Sequence, residues 1–135
     1  MTDYSEIFEK YVNELNQDVA LDQFNLKDSQ LGLPGKKHKW AGRLIRHKIE
    51  LNKFTLTRDI RVKEIITQIK DRSPTPLTDI SVNRIAVKHE SIVEIDNSIQ
   101  QLKLIIEFLE KTEKTLSSMT FDISNIVKLI TLETT

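Results

Sequence analysis

Ten Lys or Arg residues stand between Lys36 and Lys63 against two acids, Glu50 and Asp59, in a chain of 135 residues whose formal charge sums to zero. The seven acids and two bases before Lys36, and the eleven acids and eight bases after Lys63, balance that block. Cations gathered in one segment raise the local potential where a polyanion can sit, and overall neutrality limits adhesion elsewhere. At 100° per residue Lys36, Lys39, Arg43, Arg46, Lys53 and Arg61 fall within an arc of about 100° that also contains Glu50. One cation per helical turn repeats every ~5.4 Å, near the phosphate spacing of an extended strand. Nucleic acid is therefore the expected partner, set against the plainer reading of a solvated charged face. Trp40, amid Lys36, Lys37, His38, Lys39 and Arg43, has the ring to stack on a base, but it also occupies an apolar helical position that suits a core.

Other chemistry finds no footing. There is no Cys, so thiol nucleophiles, disulfides and zinc thiolates are excluded, as suits a reducing compartment. His38, His47 and His89 lack an i, i+4 His partner, and no metal or other cofactor is expected. Ser29, Ser73 and Ser91 sit where turns and caps need hydroxyls. The Gly32-Leu33-Pro34-Gly35 stretch runs into Lys36-Lys37-His38, not into the Gly-Lys-Ser/Thr of a phosphate loop. The chain is expected to be a binding protein, not an enzyme. Its polar start, Met-Thr-Asp-Tyr-Ser-Glu, and the lack of 18 consecutive apolar residues predict no signal peptide or membrane span, hence the cytoplasm.

The elements that must position the cations follow from periodicity. An amphipathic helix is expected over about 3–15, on Ile7, Phe8, Tyr11, Val12 and Leu15, followed by a strap that closes on the Gly-Leu-Pro-Gly breaker, so that 1–35 form an N-terminal helix and strap. Residues 36–70 form a basic long helix, apolar on two flanks. Trp40, Leu44, Leu51, Val62, Ile65 and Ile69 gather on one flank and Ile45, Ile49, Leu56 and Ile60 on the other; two flanks need two sets of neighbours, one from the chain itself and one suggesting a subunit contact. Ser73-Pro74-Thr75-Pro76 ends that helix, and the alternation of Ile80, Val82, Ile85 and Val87 suggests a short extended segment in a tip over 71–90. A capping box at Ser91 and Glu94 opens a second long helix with coiled-coil spacing through Ile92, Ile95, Ile99, Leu102, Ile106, Leu109 and Leu116. Ser117 to Thr120 loosen it before a terminal helix that reaches about residue 132. The expected fold is all-α: one domain, an elongated hairpin of two long helices with a small N-terminal helix and strap and a C-terminal helix, assembling as a homo-oligomer.

The order of these parts resembles a known family. Asn16 to Leu26, then Pro34, then His38-Lys39-Trp40 opening a basic helix, with Ile95-Asp96 leading to Ile99-Gln100-Gln101-Leu102 and a close from Phe121-Asp122-Ile123 to Leu129, is similar to the UvsY family of phage recombination mediators. The resemblance spans roughly residues 12–132. It implies a small helical protein in closed rings of six or seven subunits, in host cytoplasm if viral. Such a protein binds single-stranded DNA and promotes loading of a RecA-like recombinase in place of single-strand-binding protein. A Lys-x-Arg pair late in the family's first long helix is linked to DNA; here Lys63 matches its first position and Ile65 its second, with Arg61-Val62-Lys63 a similar pair shifted by two residues. The tip, Ser73 to Asp79, departs from the family pattern.

The DNA-binding set predicted from charge and resemblance together is Lys36, Lys39, Arg43, Arg46, Lys53, Arg61 and Lys63. The alternative is a coiled-coil adaptor whose basic face meets an acidic protein.

Overall fold

The computed structural model describes residues 3–134, and over them the protein is all-α, with two long helices among four and no strand. Helix α1 (Tyr4–Asp18) is capped by Asp3, whose carboxylate accepts the amides of Ser5 and Glu6. A short connection follows in which Asp22 and Asn25 exchange side-chain to backbone hydrogen bonds at 2.8 and 3.0 Å. The Ser29 amide then donates to the Asn25 carbonyl, closing the first turn of helix α2 (Leu26–Arg72).

Helix α2 thus starts ten residues before the expected Lys36 and runs through Gly32, Pro34 and Gly35. No glycine there has positive φ, so Gly32 and Gly35 break nothing, and Pro34 removes one donor from an exposed stretch of helix. Leu33, buried beside them, supplies the packing that carries the helix through. The tip holds helix α3 (Asp79–Ala86), not an extended segment. Thr78 caps it by accepting the Ser81 amide, and Val82 and Ala86, four apart, face inward and are fully buried.

Helix α4 (Glu90–Thr134) is opened by His89 and not by the expected Ser91 box. The His89 carbonyl accepts the amides of Ile92 and Val93, and its Nδ1 accepts the Ser91 amide at 3.2 Å. Nor does α4 break at 117–120. The Ser118 hydroxyl bonds to the Thr115 carbonyl one turn back without interrupting the helix, and Met119 is buried there.

The chain forms two compact units. In one, residues up to Arg46 and from Ile105 onward bury Tyr4, Leu33, Trp40, Leu44, Ile105, Leu109, Leu116 and Met119. There Phe8 meets Phe108 edge to face at 5.2 Å. In the other, His47–Leu104, a core of Val62, Ile65, Ala86 and Ile92 is flanked by Ile66, Ile69 and Val87. Arg58 of α2 donates to the Asp96 carboxylate of α4 within this unit.

Candidate nucleic-acid interface

The seven predicted cations divide into two groups by what α1 does to them. Glu14 and Asp18, four apart on α1, lie against the start of the basic stretch of α2. Lys39 Nζ reaches Asp18 Oδ2 at 2.6 Å and Glu14 Oε1 at 3.3 Å. Arg43 grips both oxygens of Glu14, and Lys36 Nζ donates to the Asp18 carbonyl at 2.8 Å. The Arg43 guanidinium also lies 4.9 Å from the Tyr11 ring centre and 4.7 Å from that of Trp40. Hydrogen bonding from Arg43 holds the Glu14 carboxyl below its ordinary value, against the opposing pull of burial and with further help from Lys39. Three of the seven cations are thereby committed to holding α1.

Trp40 belongs to the same cluster. Its ring is fully buried, meets Tyr11 edge to face at 5.6 Å, and donates its Nε1 proton to Asp18 Oδ2 at 2.8 Å. It is a core residue with its polar handle satisfied, and the base-stacking reading is set aside.

The remaining cations differ. Arg61 is half engaged: its Nε donates to Ser91 Oγ at 3.2 Å and its Nη1 to Glu64 at 3.1 Å. Arg46, in the first unit, and Lys53 and Lys63, in the second, are exposed and meet no acid among the described residues. Within the second unit Lys53 and Lys63 share an arc of about 80° with Ile49, Leu56 and Ile60, which are 50%, 62% and 50% exposed. Of the two apolar flanks of α2, this one is open to solvent, and it carries cations beside it. Ile45, in the first unit, is exposed as well.

Charge counting missed the carboxylates that fill part of the basic face. The signal was present as the acidic i, i+4 pair Glu14 and Asp18, but pairing α1 with α2 needs contacts 21 to 29 residues apart in the chain. Among the described residues no cluster of His, Asp or Glu could hold a metal, and no helix is long and apolar enough to cross a membrane.

No protein-family profile matches the sequence, and no curated protein is similar to it in sequence. Solved structures are similar in fold. Three crystal forms of the recombination mediator protein UvsY of bacteriophage T4 superpose with TM-scores of 0.81, 0.79 and 0.76 at 17%, 17% and 16% identity. They cover 98%, 94% and 90% of this chain and 99%, 97% and 96% of theirs. Over nearly its whole length, the chain has the fold of that recombination mediator.

Proposed function

We propose that the protein is a recombination mediator that binds single-stranded DNA and promotes loading of a RecA-like recombinase in place of single-strand-binding protein. It acts by binding and assembly, without catalysis. The whole-length likeness to a mediator supports the role, but a fold alone can carry many functions. The observation that carries the reading is that three exposed cations of the basic stretch of α2, Arg46, Lys53 and Lys63, meet no acid among the described residues. They offer phosphate contacts with little means of reading bases, as suits a protein that holds any sequence and hands it on.

Self-assembly completes the proposal. Ile49, Leu56 and Ile60 are covered by a second copy, and closure of such contacts into a ring of six or seven would multiply a modest DNA site by avidity. Because Lys53 and Lys63 share the arc of that stripe, each contact between copies carries cations at its margin.

The test is anisotropy of a labelled oligo(dT) titrated at several salt concentrations. For four to six phosphates neutralised per site, log K against log salt should fall with a slope of roughly −3 to −4. Arg46→Ala, Lys53→Ala and Lys63→Ala combined should weaken binding to all sequences and make the slope shallower by about 2. Lys39→Ala should leave the slope nearly unchanged, since its charge is already matched by Asp18 and Glu14. An unchanged slope in the triple variant would place the DNA elsewhere.

A further inference from the structure

The far end of the second unit carries a feature that the DNA reading does not use. Where α2 ends, the chain turns through Ser73–Thr78 into α3, and a groove of about 320 Å³ opens between the last turns of α2, α3 and the start of α4. Ile65, Ile69 and Ile85 form its apolar surface, while Arg72, Lys88 and His89 stand around it. The groove exists because α3 spends Val82 and Ala86 on the core, leaving Ile85 52% exposed.

The charges around it are one-sided. No acid lines the groove, and neither Arg72 nor Lys88 meets an acid among the described residues. Lys70 nearby shows the contrast: Asp79 takes its charge at 2.9 Å. His89 is held in place by its Nδ1, which lies 2.8 Å from Ser91 Oγ. Apolar surface ringed by unmatched cations is complementary to a segment that pairs carboxylates with a large apolar side chain.

We propose that this groove docks an acidic segment of a partner protein, with a Leu- or Phe-sized side chain on Ile65, Ile69 and Ile85 and flanking carboxylates on Arg72 and Lys88. Nucleic acid fits less well. No Phe, Tyr or Trp lines the groove to stack on a base, and a sugar-phosphate strand offers nothing to the isoleucines. At the small end of ligand-sized cavities, the site suits one or two anchoring side chains of a linear segment. It stands apart from the α2 cations proposed for DNA and does not depend on them.

The probe is a labelled peptide of about a dozen residues with Leu and Phe set among Asp and Glu, titrated with the full chain and followed by anisotropy. Saturable binding is expected. It should weaken about tenfold or more in Arg72→Glu with Lys88→Glu, and likewise in Ile85→Ser. All three residues are exposed, so circular dichroism and melting should match the wild type. Exchanging the peptide's acids for amides, or its Leu and Phe for Ser, should have the same effect. Equal peptide affinity in both variants, or no peptide binding by the wild type, would overturn the proposal. So would a charge-reversed variant that loses oligo(dT) affinity but keeps the peptide, since the groove would then belong to the nucleic-acid face.

Discussion

The indole Nε1 of Trp40 and the carboxylate of Asp18 are hydrogen-bonded at 2.8 Å, and the same oxygen of Asp18 receives Lys39 Nζ. One carboxylate therefore serves a buried ring and a surface cation together. Asp18→Ala leaves the indole proton without its acceptor inside the core, which costs about 1–3 kcal/mol. Thermal unfolding should show a fall of several degrees. Asp18→Asn retains an acceptor and should recover part of it. A melting point unmoved by either substitution would mean that the contact contributes nothing to holding α1.

Acid should release the same contact region. The Glu14 carboxyl titrates below its ordinary value of 4.5 because of Arg43. A depressed folded-state value stabilises fully above the unfolded value and is lost as pH falls through the folded one. Stability should therefore hold down to about pH 4.5 as far as Glu14 is concerned, then drop below it. In Glu14→Gln that part of the acid transition should vanish, as read by Trp40 emission against pH; an identical profile in the variant would remove Glu14 as its cause.

The helical Gly32 and Gly35 make the opposite kind of prediction. An added Cβ meets nothing within 4 Å at either position, and neither has positive φ. Gly32→Ala and Gly35→Ala should each stabilise by about 0.5–1 kcal/mol, by reducing unfolded-chain freedom and raising helix propensity. Denaturant titration measures it. A loss of stability in either would show that the chain there needs freedom that its helical geometry does not use.

Core and stripe should respond differently to substitution. Leu102 is fully buried within its own chain, so Leu102→Asp should unfold the protein instead of merely separating copies. Leu56→Ser with Ile60→Ser changes exposed positions, so the chain should stay helical while light-scattering mass falls toward that of one chain. Wild-type protein that is monomeric at micromolar concentration would end the assembly proposal.

Periodicity made the buried sides of the long helices legible. Trp40, Leu44, Val62 and Ile65 on α2, and Ile92, Ile99, Leu102, Ile106, Leu109 and Leu116 on α4, are all buried, because a 3.6-residue repeat needs no knowledge of what it packs against. The exposed flank of Ile49, Leu56 and Ile60 was legible for the same reason. Helix ends were not. Local rules start α2 only after Gly32–Gly35 and loosen α4 at Ser117, but Leu33 and Met119 are buried, and packing there outweighs local preference. Ile80, Val82, Ile85 and Val87 alternate as a strand would, yet Val82 with Ala86 also fits one turn of helix, an ambiguity that short segments carry. Of the basic face, the number of cations was legible and their availability was not, since Glu14 and Asp18 arrive from another helix.

The edge-to-face contact of Phe8 with Phe108 ties the first helix to the last within one unit. The His47–Leu104 unit, by contrast, is a single uninterrupted stretch of chain. Synthesis from the N-terminus therefore supplies every residue of this unit first, while the other waits until residues beyond Ile105 leave the ribosome. Throughout that interval the apolar side of α1 has no Phe108 to meet. The acidic exterior of α1 carries Glu6, Glu9, Glu14 and Asp18, and like charge disfavours association of waiting segments, so Glu14 and Asp18, which later clasp α2, first help to keep an unfinished chain from its neighbours.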